Sequence, residues 1–216
     1  DMNLEEEIAE VISDNEGSTG VKATAQTNAR ISVSPNNNTD EHTVVSFKLK
    51  GMNISTDVII SSTVKFGTGD GINGADLSDL RDKINAYSAE TGIVATLSNT
   101  KDTVYLSNDE GYDIKLQDLD FADVGDAATH ALRVTGMDAR LFDSSGAERL
   151  SGTEAEMFDT SYDGPSSGQS AGYADSVIVS GQVIMHSSHS FTASTSNTDA
   201  GLFESTPGSA TLNAVS

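Results

Sequence analysis

Apolar positions near the start of the chain recur with a helical period. Leu4, Ile8, Val11 and Ile12 fall at i, i+4, i+7 and i+8, one face of a helix. Glu5, Glu6 and Glu7 crowd its first turn, where the helix dipole favours negative charge, and Asn15 and Gly17 supply a stop. The period then drops to two. Val21, Ala23 and Ala25 alternate with polar residues and predict a strand. Gln26-Thr27-Asn28 reads as a turn and Ala29 to Val33 alternates again, so a hairpin is expected here.

The same order returns further along. Leu77, Leu80, Ile84 and Tyr87 predict a second helix face, with Asp76, Ser78 and Asp79 suited to its cap and first turn. Thr91-Gly92-Ile93-Val94-Ala95-Thr96 repeats the Thr-Gly-aliphatic-x-Ala-Thr run that begins at Thr19. Ile84 lies 72 residues after Ile12, and Gly92 lies 72 after Gly20. An internal repeat outranks other patterns in fixing an architecture. The glycine has a physical reason: the chain leaves a helix and reverses into a strand, and Gly takes the left-handed conformation that closes a helix. A turn at 99–102, a return strand at 103–106 and a further strand at 112–116 complete the second copy.

Two strand patterns precede the second helix, at 44–50 and 58–66. The second unit therefore reads strand, strand, helix, strand, strand. The first lacks the leading pair, and the strand-like runs at 176–185 and 190–193 are expected to complete it from the other end of the chain. The expected fold class is α+β, strand-rich, with two helix-plus-β-hairpin (ββαββ-like) units in an elongated two-domain body. The proximal outer part would combine residues 1–40 and 170–216, and the distal part would hold 41–169. Residues 143–172, rich in Ser, Gly and acids, carry no folding pattern.

Composition narrows the function classes. With 12 Lys+Arg against 33 Asp+Glu, the formal charge is -21. Nucleic acid and anionic membrane are poor partners for such a surface. A self-repelling, acidic surface suits salty water or an extracellular setting. There is no cysteine, so disulfide and thiolate chemistry are excluded. No apolar run approaches the roughly 20 residues of a membrane helix, and no signal peptide pattern is visible. The chain opens directly into a helical pattern and reads as a piece of something longer.

Candidate chemistry is thin. Asp70 to Leu80 resembles a calcium loop entering a helix. With Asp70 at position 5, however, Phe66 and Thr68 take positions 1 and 3, and Asp76 falls at 11, one short of the required carboxylate. His186 and His189 stand three apart in strand-like sequence and face opposite sides, while His42 and His130 stand alone. No His-Glu-x-x-His, Gly-x-Ser-x-Gly or phosphate-loop pattern occurs. Asp118-Leu119-Asp120 could pair carboxylates for hydrolysis, but in so acidic a chain most carboxylates are simply solvated. Asn37-Asn38-Thr39 and Asn53-Ile54-Ser55 are N-glycosylation sequons. The expectation is a non-enzyme with no catalytic, cofactor-binding or metal residues.

Residues Leu80 to Thr96, with Ile84-Asn85 at their centre, resemble the "IN" motif of bacterial flagellins and hook-associated proteins, as do Val104-Tyr105-Leu106 and Gly111 to Ile114. Ile8 to Val33 is a more degenerate copy, with Ile12-Ser13 in place of Ile-Asn. Ser180 to Ile184, Ser190-Phe191 and Ala210 to Ser216 resemble the stretch before the C-terminal helices of flagellin. The resemblance spans about two thirds of the chain. It implies the central, variable, surface-exposed region of a flagellin, exported to the flagellum without a cleaved signal peptide. Partners would be other flagellin subunits, bound through terminal helices that this chain lacks. O-linked glycans would sit on Ser and Thr near 160–170, and the isolated fragment would be monomeric. The alternatives are a hook-associated or filament-cap segment, an acidic adhesin or glycan-binding module using calcium, and an enzyme inserted in a flagellin.

Overall fold

In the computed structural model, residues 3–34, 42–67, 74–122, 131–158, 174–194 and 209–212 are described. The chain is strand-rich α+β. The helical segments are α1 (Leu4–Asp14), α2 (Glu16–Thr19), α3 (Ser78–Ala86) and α4 (Ser88–Thr91). The strands are β1 (Val21–Ser34), β2 (His42–Lys50), β3 (Val58–Gly67), β4 (Gly74–Asp76), β5 (Val94–Leu97), β6 (Thr103–Asn108) and β7 (Ile114–Ala122). They continue with β8 (Ala131–Phe142), β9 (Glu148–Leu150), β10 (Ala155–Met157), β11 (Val177–Val179), β12 (Gln182–Ser187), β13 (Phe191–Ser194) and β14 (Ser209–Leu212).

Two antiparallel sheets share one core. The first runs β10-β8-β1-β6-β5, with β9 on β8 and β12 on β1, and the second runs β11-β7-β2-β3-β4. Alternation explains which faces meet. Thr43, Val45, Phe47 and Leu49 of β2 are buried, as are Val58, Ile60, Ser62, Val64 and Phe66 of β3. Leu77, Leu80 and Ile84 bring α3 into the same cluster as Ile31, Leu106 and Leu116. Full burial of one such aliphatic side chain is worth about 1.5–3 kcal/mol. β13 and β14 form a separate two-stranded pair.

Strand β1 corrects the expected hairpin at 21–33. It is one continuous strand of 14 residues. Val21, Ala23, Ala25, Thr27, Ala29, Ile31 and Val33 are all buried, so the inward parity passes unbroken through Gln26-Thr27-Asn28. A turn would have exposed these residues; Thr27 and Asn28 are instead buried at 0% and 3% exposure. The first half of β1 pairs with β12, Val21 opposite Ser187 through Gln26 opposite Gln182. The second half pairs with β6 on one side and β8 on the other. The C-terminal segment divides: β12 joins β1, as the sequence led us to expect, whereas β11 pairs with β7.

Four further expectations change. Leu4 and Val11 are 60% and 63% exposed, and α1 instead buries Ala9, with Ile12 partly buried against Ala23 and Ala25. Tyr87 lies past the end of α3 and is exposed, because the last residue of the 77, 80, 84 face falls in the turn between α3 and α4. The helical stop is not Gly17: α1 ends at Asn15, but the chain makes a further turn before closing on Gly20. Residues 143–158 are ordered as a hairpin tip plus β9 and β10, held by ion pairs that a composition reading cannot show. Arg30 pairs with Glu148 and, at 3.0 Å, with Glu154; Arg133 pairs with Glu156 at 2.8 Å. Tyr105 donates to Glu148 at 2.7 Å and meets the Phe142 ring edge-on at 5.3 Å. Burial and that carboxylate push the Tyr105 phenol above its usual range. The rest of 143–172 lies outside the described residues.

Candidate functional site

The feature with the most geometric definition is a helix-to-strand clamp that occurs twice. In the first copy Asn3 caps α1: its Oδ1 accepts from the Glu6 N–H at 3.3 Å, and its Nδ2 donates to the Glu110 carbonyl. The helix passes through Asn15 into α2 and closes on Gly20 at φ 67, whose N–H donates to the Glu16 carbonyl at 2.7 Å. In the second copy α3 passes through Tyr87 into α4 and closes on Gly92 at φ 69, whose N–H donates to the Ser88 carbonyl at 2.8 Å. Both closures use the left-handed region where a Cβ is strained.

The threonine before each glycine works twice. Thr19 Oγ1 donates to the Asn15 carbonyl at 2.9 Å and accepts from the Val21 N–H at 3.2 Å. Thr91 Oγ1 donates to the Tyr87 carbonyl at 3.0 Å and accepts from the Ile93 N–H at 3.2 Å. One hydroxyl thus links the last helical turn to the backbone N–H just after the glycine, adding to the backbone amides that already meet the Asn15 and Tyr87 carbonyls.

The clamp itself reaches ten residues ahead. Asn85 Nδ2 donates to the Ala95 carbonyl at 2.8 Å, and its Oδ1 accepts from the Ala95 N–H at 2.8 Å. Ser13 does the same with a single oxygen: Oγ donates to the Ala23 carbonyl at 2.9 Å and accepts from the Ala23 N–H at 2.9 Å. Ser13 and Asn85 are 72 residues apart, the spacing of the repeat. Among the described residues, strand β5 is the edge of its sheet and the first half of β1 pairs only with β12. At both edges a side chain therefore stands where a neighbouring strand would. It satisfies the backbone groups that would otherwise template pairing with another chain, and it fixes the helix over the strand. The sequence reading found the Ile-Asn pair and its Ile-Ser counterpart but gave the polar member no role; equal spacing to Ala23 and Ala95 was the available signal.

Other sequence candidates resolve into structural roles. Asp79 lies in the first turn of α3, as expected, and its Oδ2 accepts from Ser62 Oγ and the Thr63 N–H, both at 2.9 Å, which ties the helix to β3. Asp76 Oδ1 accepts from the Ser78 N–H at 2.9 Å. Asp118 sits at φ 54 in the irregular stretch of β7, 2.7 Å from Lys48, while Leu119 between the two acids is buried. The hydrogen bonds that the Lys48 ammonium donates to Asp118 and then to Asp57 hold it above its usual range. Asp118 and Asp120 therefore serve separate neighbours, Asp120 accepting from Ser46 Oγ at 3.4 Å. His42 and His186 are exposed, and His189 lies in a bend where its Nδ1 meets Ser188 Oγ at 3.0 Å. Asn53 is buried, and its Nδ2 donates to the Leu49 and Thr56 carbonyls at 3.0 and 2.9 Å, so this sequon's amide is consumed in the β2–β3 turn.

Residues 68–73 of the calcium-like loop, His130, the Asn37 sequon and the Ser and Thr near 160–170 lie outside the described residues. Among the described residues no group of three or more His, Cys, Asp or Glu is placed to hold a metal, and no helix is long and apolar enough to cross a membrane. No family model and no curated protein sequence matches the chain.

Proposed function

We propose that this chain is a structural module: the variable, surface-exposed outer region of a bacterial flagellar filament subunit. The observation that carries the reading is the duplicated clamp. The Ile84-Asn85 pair that resembles the flagellin motif supplies the amide that holds α3 to β5, and Ile12-Ser13 reproduces the bond pair at the same spacing. A motif kept for packing rather than for chemistry suits a non-enzyme, because every atom it contributes is spent on the fold.

On this reading the distal copy is a ββαββ-like unit and the proximal copy a helix with two strands. The distal one is β2, β3, α3, β5 and β6, and the proximal one is α1 with the first half of β1 and with β12. The base-and-tip division then falls within β1, near Gln26, rather than in the loop after it. Filament contacts would be made by terminal helices outside this chain. The module would lie outside the cell, exported without a cleaved signal peptide, with O-linked glycans on its exposed Ser and Thr. Among rival readings, a hook-associated or filament-cap segment shares the motif, and an acidic adhesin would use calcium.

Excising the coding region for residues 3–194 in the source bacterium and imaging its filaments tests the reading. The expected result is filaments that still polymerise and are thinner. Filaments of unchanged diameter would overturn it.

A further inference from the structure

We propose that the β8–β9 hairpin, residues 138–150, is a flap that charge holds closed over the outer face of the first sheet, and that it opens when salt screens its ion pairs. The first observation is what the hairpin lacks. Met137 and Met157 are fully buried, but every residue between them is at least partly exposed. The register of β8 against β9 breaks between Met137 opposite Leu150 and Phe142 opposite Glu148. Neither an apolar core nor a regular ladder therefore fixes the hairpin. Its base is fixed, because β10 pairs with β8 from Ala155 opposite Val134 to Met157 opposite Leu132.

The second observation is what holds it down. Arg30 lies within the sheet, opposite Tyr105 on one side and Thr135 on the other. Its guanidinium pairs with Glu148 of β9 and, at 3.0 Å, with Glu154 just before β10. Tyr105 donates to the same Glu148 carboxylate at 2.7 Å, and the Phe142 ring packs edge-on against the Tyr105 ring. Arg133 adds pairs to Glu154 at 3.6 Å and to Glu156 at 2.8 Å. The side chains of Arg30, Glu148 and Glu154 are 24%, 26% and 34% exposed, so dissolved salt reaches this junction and weakens it.

The third observation favours opening. Asn28, Tyr105 and Thr135 lie buried on the face under the hairpin. Asn28 Nδ2 donates to the Asp138 carbonyl at 3.3 Å, while its Oδ1 has no partner among the described residues. A buried acceptor left unmet is costly, and water meets it once the hairpin lifts. Charge closes the flap and this oxygen opposes closure. Opening presents the Arg30 guanidinium, the Tyr105 hydroxyl and the Asn28 amide to solvent, a cation-bearing patch on a chain of net charge -21.

Hydroxyl-radical footprinting of the full chain, read by mass spectrometry, tests this. Sodium chloride is raised at fixed pH from about 0.01 M to about 1 M, which shortens the screening length from about 30 Å to about 3 Å. Tyr105 reports opening, exposed Tyr87 normalises the radical dose, and fully buried Phe47 reports any loosening of the core. The expected result is oxidation of Tyr105 about fivefold faster at high salt, with Phe47 unchanged. Arg30→Gln and, separately, Glu148→Gln should give the fast Tyr105 rate already at low salt and abolish its salt dependence. Glu148 lies on the hairpin rather than in the sheet, so its variant keeps the test sound where Arg30→Gln disturbs the fold. Tyr105 equally protected at both salt concentrations, Phe47 accelerating along with it, or a salt response that persists in Glu148→Gln would overturn the proposal.

Discussion

Replacing Asn85 with Ala removes two hydrogen bonds of 2.8 Å to one residue of an edge strand. Ala95 is 3% exposed, so water does not readily replace the lost amide. Each lost bond costs about 1 kcal/mol, and each backbone group left unmet adds about 1–3 kcal/mol. The better helix propensity of Ala returns about 0.5 kcal/mol. The net loss is about 2–4 kcal/mol, to be measured by urea denaturation, with faster hydrogen exchange at the Ala95 amide. Asn85→Ser retains an oxygen able to donate and accept, as Ser13 does in the other copy, and should recover part of the loss. Asn85→Asp can accept from the Ala95 N–H but cannot donate to its carbonyl while ionised. It should cost more than Ala at pH 7 and recover on acidification. A loss under about 0.5 kcal/mol for Asn85→Ala, or unchanged exchange at Ala95, would refute the clamp.

Four further outcomes can be measured. Gly20→Ala should cost about 1 kcal/mol for the left-handed backbone alone, since a Cβ there meets only Ser187 Oγ at 4.0 Å. Gly92→Ala should cost more, about 2–3 kcal/mol, because its Cβ would crowd Met52 and lie 2.9 Å from Nδ2 of buried Asn108; paired melting curves compare them. For Asp102, burial acts to raise the pKa, but hydrogen bonds from Thr100, Ser98 and Thr103 outweigh it and hold the carboxylate below its usual range. Its stabilisation is therefore complete above pH about 4 and is lost as pH falls through the depressed value. Asp102→Asn should cost about 0.5–1 kcal/mol at pH 7, discounted for exposure, and should flatten the acid limb of a stability–pH curve. Millimolar calcium should leave the melting temperature unchanged; a large rise would favour the adhesin reading.

What the sequence made legible was local. The alternations at Val45, Phe47 and Leu49 and at Val58 and Ile60 placed β2 and β3, because one buried face of a sheet imposes strict parity. The Thr-Gly closures were readable because glycine is the residue that most readily takes the left-handed conformation ending a helix in this way. The hairpin at 26–28 was misread because polar Thr27 and Asn28 resemble a turn by composition, although inward parity runs from Val21 to Val33. Strand β8 escaped detection because Gly136 interrupts it and its burial leaves simple alternation, with Ala131, Leu132, Val134, Thr135 and Met137 all inside. The face of α1 was misassigned for a related reason: in a thin core lined by Ala23 and Ala25, small Ala9 packs better than Leu4 or Val11. Asp79, Asn53 and the clamp residues act through partners that only the fold brings near.

The most direct test of the central claim is immunogold labelling of intact cells of the source bacterium with antibody raised against this chain. The account predicts gold along the whole length of the flagellar filaments. Gold confined to the hook junction or the filament tip, or spread over the cell body away from filaments, would contradict it.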